Sequence, residues 1–151
     1  MSSTYNNVRA AIEGRIATEM AIAPVYPVSY TNVPFTPPGN APWLQASIRF
    51  GDNAYATLLP TGGVGFNRQN GVLVVNVFTP IGVGAAANYT IAERIKDLFD
   101  RAKFSSIIFD AASGPAVVQA NAIETGVSAS SGLAAAYFQT QLTATFEAYL
   151  D

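Results

Sequence analysis

Two residue types are missing from this sequence of 151 residues, which contains neither cysteine nor histidine. Without cysteine there are no disulfide bridges, thiolate metal ligands or cysteine nucleophiles. Without histidine the commonest general base and the commonest nitrogen ligand of zinc are absent, which excludes histidine-based catalytic triads. Catalysis would have to use carboxylates, lysine or hydroxyl groups. We therefore predict no catalytic residue, no metal site and no cofactor.

Charged side chains are also scarce. They make up 12% of the residues, against roughly 25% in an ordinary soluble domain. A surface with so few charges is often covered by other protein chains. The formal net charge is -2 and the 8 lysines and arginines are scattered along the sequence. We therefore expect no sequence-specific binding of nucleic acid, because phosphate binding depends on clustered basic residues.

Long apolar runs are missing as well. None approaches the roughly 20 residues of a membrane-spanning helix, so we expect no membrane partner. The N-terminal residues lack the basic start and apolar core of a signal peptide, and we expect assembly in a cytoplasm. The length of 151 residues is that of one domain, and we predict a single domain over residues 1–151.

Residues 71–103 organise the chain as a strand, a glycine loop and a helix. In the apolar run of residues 71–78, alternate side chains are apolar on both sides, so both faces of this strand are predicted to be buried. Such a strand belongs at the centre of a sheet. After the loop, Thr90 followed by Glu93 predicts a capping box, and apolar residues then recur at helical spacing over residues 90–103.

The other elements follow from periodicity and from turn residues. Apolar positions at intervals of four residues predict an amphipathic helix over residues 5–23, capped by Thr4 or Asn6. Gly14, in its middle, either admits a close backbone contact or is simply tolerated. The predicted strands are residues 28–32, 43–50, 55–59, 105–109, 115–123 and 137–150, with a turn at residues 51–53 and a loop at residues 125–136.

Two segments have open interpretations. The proline-rich residues 24–42 form either a loop packed across the protein's own core or an arm that reaches a neighbouring subunit. The last strand would extend over roughly 40 Å, so it either bends or projects past its own sheet into a partner. The elements together predict an α/β fold of the α+β type, with a mixed or antiparallel sheet packed by two main helices.

Two patterns could indicate an active site. Residues 82–87 match the dinucleotide-binding pattern G-x-G-x-x-A, but three residues separate them from the predicted strand and three more from the predicted helix. We interpret this loop as a mobile glycine loop that orders on a partner. The carboxylates of residues 93–103 alternate with basic side chains, which is typical of a solvated helix face. An enzyme would need a concave pocket with Asp110 near Gly82.

The order of these features resembles that of the tail terminator-like and minor tail proteins of long-tailed bacteriophages. The resemblance is carried by the helical residues 8–13, an Asn-x-Pro-Phe-x-Pro-Pro segment at residues 32–38, a strand starting at Trp43-Leu44, a Gly-x-x-x-Val-x-Val-Phe-x-Pro strand at residues 71–80, and a helix ending in Leu98-Phe99.

This resemblance implies a ring, typically a hexamer, at the head-proximal end of the tail tube. Such a ring stops tube polymerisation and offers a surface for head attachment. The implied partners are other copies of the chain, the tail tube protein and a head-tail connector or head-completion protein. The implied location is the neck-proximal end of the tail in the virion.

Three contact regions are predicted from the residues themselves: the loop of residues 62–68, the loop of residues 81–89, and the polar face of the last strand. Glycine loops can order on a partner, and a strand face without charge suits burial between subunits. The alternatives are another neck or tail-completion protein, a tail tube subunit, or an enzyme that uses carboxylates or a nucleotide. The predicted interface residues are Gly62, Gly63, Gly65, Arg68, Ile81, Gly82, Gly84, Tyr89, Gln139, Gln141, Thr143 and Thr145.

Overall fold

A computed structural model describes residues 4–55, 67–82, 84–118 and 137–150, which form two helices and a mixed sheet. This arrangement confirms the predicted fold class. Residues 56–59 of the strand predicted at 55–59, residues 119–123 of the strand predicted at 115–123, and the loop at residues 125–136 lie outside the described residues. The elements are α1 (Tyr5–Met20), β1 (Val28–Tyr30), β2 (Trp43–Tyr55), β3 (Asn67–Pro80), α2 (Ala86–Phe99), β4 (Lys103–Phe104), β5 (Ile107–Phe109), β6 (Ser113–Val117) and β7 (Tyr137–Leu150).

The first helix, α1, has the predicted apolar stripe and a hydroxyl cap. The Thr4 hydroxyl accepts a hydrogen bond from the Asn7 backbone N–H at 3.2 Å, so Thr4 is the cap and Asn6 is not. Nothing lies within 4 Å of the position that a Cβ atom on Gly14 would take, so this glycine is tolerated rather than required. The helix ends at Met20, three residues earlier than predicted. Its buried residues are Val8, Ile12, Ile16 and Met20.

The second helix, α2, begins four residues earlier than predicted, at Ala86. The predicted capping box is wrong, because the Thr90 hydroxyl lies inside the helix and donates to the Ala86 carbonyl oxygen at 2.9 Å. The physical reason is Asn88, whose buried side chain bonds to the sheet and so requires a helical turn at that point. The helix ends at Phe99 rather than at residue 103.

The sheet has the strand order β1-β2-β3-β7-β5-β4, with β6 also paired to β7. Among the strand pairs of the described residues, only β1 and β2 are parallel, and the other pairs are antiparallel. β3 lies between β2 and β7, which confirms its predicted central position. β7 pairs with β3 from Tyr137 to Leu150, over its whole length. The expectation that the last strand projects past its own sheet is therefore wrong.

A β-bulge replaces the turn predicted at residues 51–53. β2 continues through these residues, and its register against β3 shifts between Phe50 and Asn53. The buried side chain of Gln69 stabilises the bulge, because its Nε2 donates to the carbonyl oxygens of Gly51 at 2.7 Å and Asn70 at 2.9 Å. A Gly-Asp-Asn sequence therefore marks a bulge here instead of a hairpin turn.

Both helices pack on one face of the sheet, which we call the helix face. Apolar side chains of β2, β3 and β7 join the buried residues of α1 and α2 there in one core. On the opposite face, the open face, Val72 and Val74 are only half-buried. The prediction that both faces of the central strand are buried is therefore wrong over most of its length, because neither α1 nor α2 covers the open face. The strand residues of the helix-face core include Leu44, Ala46, Leu73, Val75, Val77, Leu142, Ala144, Phe146 and Ala148.

Candidate functional site

The open face carries side chains in rows, because the registers of β2, β3 and β7 align. The first three rows contain no charged residue, and we call them the neutral half of the open face. Charge begins in the fourth row, with Arg49. The rows are Trp43 with Phe78 and Gln139; Gln45 with Asn76 and Gln141; Ser47 with Val74 and Thr143; and Arg49 with Val72 and Thr145.

An aromatic cluster closes one end of the neutral half. The Trp43 and Phe78 rings stack with their centroids 4.1 Å apart, and Tyr137 meets Trp43 edge-on at 5.9 Å. Phe35, from the proline-rich segment, packs on Trp43 at 5.2 Å. We call these four residues the aromatic cluster. The contact of Phe35 shows that the proline-rich segment packs across its own fold at this point.

Three buried polar atoms of the open face have no hydrogen-bond partner among the described residues. They are the indole Nε1 of Trp43, the hydroxyl of Tyr137 and the Oδ1 of Asn76. Trp43 is 6% exposed and Tyr137 is 1% exposed. The other amide atom of Asn76, Nδ2, donates to Gln45 Oε1 at 3.3 Å. Buried polar atoms in folded proteins nearly always have a partner, so these three atoms are exceptions within the described residues.

The charged end of the open face holds a shallow concavity of about 530 Å³. Arg49, Asp110 and Glu147 are among its lining residues. Asp110 is held in place by Thr145, whose hydroxyl donates to its carboxylate at 3.0 Å. Thr145 pairs with Val72, roughly 25 Å along β3 from the loop at Gly82. The arrangement expected of an enzyme, with Asp110 near that glycine loop, is therefore absent.

The glycine loop adjoins α2 directly. Because the helix begins at Ala86, the prediction that three residues separate the loop from the helix is wrong. Gly82 and Gly84 have φ angles of +86° and +84°, and nothing lies within 4 Å of their Cβ positions. Ala85 precedes the helix without a side-chain cap. The glycines give the loop its left-handed backbone, and no described side chain converges on it.

The predicted contact residues fall into three groups. Gly62, Gly63 and Gly65 lie outside the described residues. Arg68 and the β7 residues share the open face, where Gln139 is buried, Gln141 and Thr143 are half-buried, and Thr145 is exposed. Ile81, Gly82, Gly84 and Tyr89 lie beyond Pro80, at the other end of β3, roughly 40 Å from Arg68. Ile81 and Tyr89 are exposed.

Charges of α2 that were predicted to be solvated instead tie the two helices together. Arg94 donates to the carbonyl oxygens of Glu19, Ile22 and Pro24 at 2.8 to 3.2 Å, and it pairs with the Glu19 carboxylate at 3.3 Å. From α1 to α2, Arg15 donates to the Leu98 carbonyl oxygen at 2.9 Å. The solvated-face prediction is therefore wrong for Arg94, which caps the C-terminal end of α1.

In the described parts of the chain, no three carboxylates lie close enough together to hold a metal ion. Neither α1 nor α2 is long and apolar enough to cross a membrane. One titratable group is clearly perturbed: burial raises the pKa of the Tyr30 phenol above its ordinary value of 10.0, and the negative charge of Glu13 raises it further.

Sequence reasoning missed the three unpartnered residues of the open face. Trp43 and Asn76 lay in segments that were correctly predicted as strands, and Tyr137 was assigned to the polar side of the last strand. What identifies them is the register between β2, β3 and β7, which places them on one face. A sequence pattern predicts which side chains share one face of a strand, but it does not identify the neighbouring strand. The alternation within each strand could therefore be predicted, whereas the register between strands could not.

Comparisons with known proteins give one family and one fold. A family model described as phage tail terminator protein matches residues 7–104, which is more than half of the chain. Solved structures are similar as well: one has a TM-score of 0.64 at 22% sequence identity, covering 96% of this chain and 95% of the other. At that identity the likeness shows a common fold alone. No curated protein matches.

Proposed function

Because the chain belongs to the phage tail terminator family, we propose that it forms a ring, typically a hexamer, on the head-proximal end of the phage tail tube. The ring stops tube polymerisation and offers a surface to the head-tail connector or head-completion protein. It assembles in the host cytoplasm and stays at the neck-proximal end of the tail in the virion. Its role is structural and uses no catalytic residue, metal or cofactor. The family match over residues 7–104 is the observation that carries this proposal.

The shape of the sheet supports a protein that joins different partners. β3 and β7 are paired over fourteen residues each, which separates the two ends of the sheet by roughly 40 Å. Arg68 lies at one end and the glycine loop at the other. Two remote and dissimilar ends suit a subunit that meets the tube on one side and the head connector on the other.

The lateral contacts of the ring need two different surfaces on each subunit, because a cyclic ring joins one patch to another patch of its neighbour. The open face suits one of them, since its neutral half lacks charge and interface cores are depleted in charge. The proposed contact residues for neighbours and tube are Gly62, Gly63, Gly65, Arg68, Ile81, Gly82, Gly84, Tyr89, Gln139, Gln141, Thr143 and Thr145.

The direct test mixes the purified chain with tail tube protein and follows assembly by light scattering and negative-stain microscopy. We expect closed rings and short capped tubes, whereas tube protein alone should grow into long tubes. A chain that stays monomeric at high concentration and leaves tube growth unchanged would refute the proposal. A pure chain that grows into long cylinders would identify a tube subunit instead.

A matched pair of variants tests the contact at the glycine loop. Ile81 is 53% exposed beside this loop, and Ile22 is 56% exposed after α1. A buried aspartate at a protein contact is costly, so Ile81→Asp should lower tube capping about tenfold or more. Ile22→Asp adds the same charge at a similarly exposed isoleucine and should leave capping unchanged. Equal effects of the two substitutions would remove the glycine loop from the contact.

A further inference from the structure

The dipeptide Asn70-Gly71 in β3 is chemically reactive when its backbone is free. Asn-Gly occurs once in the sequence. In such a pair the backbone nitrogen of the glycine can attack the side-chain amide carbon of the asparagine, because glycine has no side chain to hinder the approach. A C–N bond forms and ammonia leaves. Water then opens the resulting succinimide ring to give aspartate or isoaspartate, so the reaction needs no reactant other than water.

The fold requires the glycine of this pair. Gly71 is buried, and a Cβ atom at this position would lie 2.3 Å from Cζ of Phe146 and 2.8 Å from two further atoms of its ring. The Phe146 ring is itself buried and packs against the rings of Phe50 and Phe109, with centroids 6.1 Å and 5.2 Å away. Any larger residue at position 71 would displace this core side chain. The chain therefore carries a reactive dipeptide in the central strand of its sheet.

Strand pairing blocks the reaction in the folded chain. The Asn70 carbonyl oxygen faces β2, since it lies 3.7 Å from the Cβ position of Gly51. Because successive backbone groups of a strand point to opposite sides, the Gly71 N–H faces β7, where Gly71 pairs with Phe146. The Thr145 carbonyl points away from β3, so by the same alternation the Phe146 carbonyl points toward it. The attacking nitrogen is thus held in the ladder, although the Asn70 side chain is exposed.

We propose that Asn70 is a deamidation site that is reactive while β3 is separated from β7 and that folding closes. The protecting partner, Phe146, lies near the end of the chain, so the Gly71 nitrogen stays reactive until β7 has paired. Isoaspartate at position 70 inserts an extra carbon into the backbone of a strand that is paired on both sides, which disturbs its register. The modification therefore removes chains that stay unfolded from those that can still fold. This inference does not depend on the proposed ring.

The first test compares deamidation in folded and in urea-unfolded wild-type protein at mildly alkaline pH. Trypsin cleaves after Arg68 and Arg94, so one peptide, residues 69–94, carries Asn70. Mass spectrometry of this peptide locates the exchanged amide and follows it over time. We expect Asn70 to react in urea and to react at least about 100-fold more slowly in the folded protein, because the reaction there depends on the small unfolded fraction.

Asn76 and Asn88 are internal controls in the same peptide. The side chains of the residues that follow them, Val77 and Tyr89, hinder the attack, so both asparagines should stay unchanged in urea while Asn70 reacts. Asn70→Gln is the matched variant, because a glutamine has to close a larger ring and reacts much more slowly. Folded protein that deamidates at Asn70 as fast as unfolded protein would overturn the inference. Equal loss at all three asparagines in urea would do the same.

Refolding tests the consequence for the chain. Wild-type protein aged in urea should lose refolding yield in step with the isoaspartate content of residues 69–94, as measured by circular dichroism and gel filtration after dilution. Asn70→Gln aged in the same way should refold as well as fresh protein. If refolded wild-type protein contains as much isoaspartate as the fraction that fails to refold, β3 tolerates the extra carbon and the proposed removal of unfolded chains is refuted.

Discussion

The two faces of the sheet differ in how they treat buried polar groups. On the helix face, Asn88 Nδ2 donates to the carbonyl oxygens of Val77 and Phe138 and to the Thr79 hydroxyl, while its Oδ1 accepts from the Thr140 hydroxyl. Each polar atom of that amide has a partner inside the chain. On the open face, Trp43, Asn76 and Tyr137 each bury a polar atom that has no partner among the described residues.

The two faces therefore differ in whether their buried polar atoms have hydrogen-bond partners among the described residues. Unpaired buried polar groups each cost about 1 to 3 kcal/mol, and folded proteins keep few of them. On the helix face the chain meets this requirement with its own residues. On the open face, three buried polar atoms have no partner among the described residues.

Substitution of two asparagines tests this contrast between the two faces and should give the largest change in the free energy of unfolding. Asn88→Ala should lower the free energy of unfolding by about 3 kcal/mol, because it removes buried hydrogen bonds to the Val77 and Phe138 carbonyls and to the Thr140 hydroxyl. Asn76→Ala should cost less than about 0.5 kcal/mol in the dilute monomer. Urea denaturation measures both values. Equal losses would remove the distinction between the two faces.

Two glutamines provide the next test. Gln69 is buried, donates to the bulge and accepts from the Tyr5 hydroxyl and the Asn53 amide at 3.0 Å each. Gln69→Ala should therefore cost about 2 kcal/mol in urea denaturation. Gln141→Ala, on the half-exposed open face, should cost a few tenths of a kcal/mol. A Gln69 variant as stable as the wild type would mean that the bulge holds without its amide.

Two arginines, one in α2 and one shortly after its end, provide the third test. Arg94→Met removes three bonds to carbonyl oxygens at the end of α1 and should cost about 1 to 2 kcal/mol. Arg101, whose side chain is 75% exposed beside Asp100, should tolerate Arg101→Met within about 0.5 kcal/mol. The thermal midpoint reports the difference. If both changes are neutral, apolar contacts alone hold α1 and α2 together.

The smallest effect concerns alkaline pH. Since burial raises the pKa of Tyr30 above 10.0 and Glu13 raises it further, the folded state keeps this proton where the unfolded chain has lost it. The stability from Tyr30 is thus complete below pH 10 and is lost as pH rises through the folded pKa. Tyr30→Phe should flatten the fall of the urea midpoint at high pH, and Glu13→Gln should flatten it in part. An identical pH profile for all three proteins would contradict this linkage.

Elements with strong periodicity could be predicted from the sequence, whereas their ends could not. The four-residue spacing from Val8 to Met20 and the alternation in β3 and β7 depend on the chain alone, and the structure confirms them. The start of α2 depends on Asn88 reaching carbonyls of β3 and β7. The continuation of β2 depends on Gln69. Neither contact can be predicted from the local sequence.

The contact surface could be predicted only in part, for the same reason. Alternation gave the polar side of β7, and with it Gln139, Gln141, Thr143 and Thr145. Two of the aromatic side chains that complete the surface, Trp43 and Phe78, come from β2 and β3, and their position beside β7 is a matter of register between distant strands. The apolar pattern of β3 suggested two buried faces, whereas Val72 and Val74 on the second face are only half-buried.

The full-length pairing of β3 with β7 has a consequence for the order of folding. Every residue between Pro80 and Tyr137, α2 included, lies within the loop that this ladder closes. Asn88 needs carbonyl groups from both strands, so α2 cannot dock completely until β7 has found its place. Pairing between strands so far apart in sequence is slow. We therefore expect the pairing of β7 with β3 to be a late step that limits the folding rate. This step completes the core and the open face together.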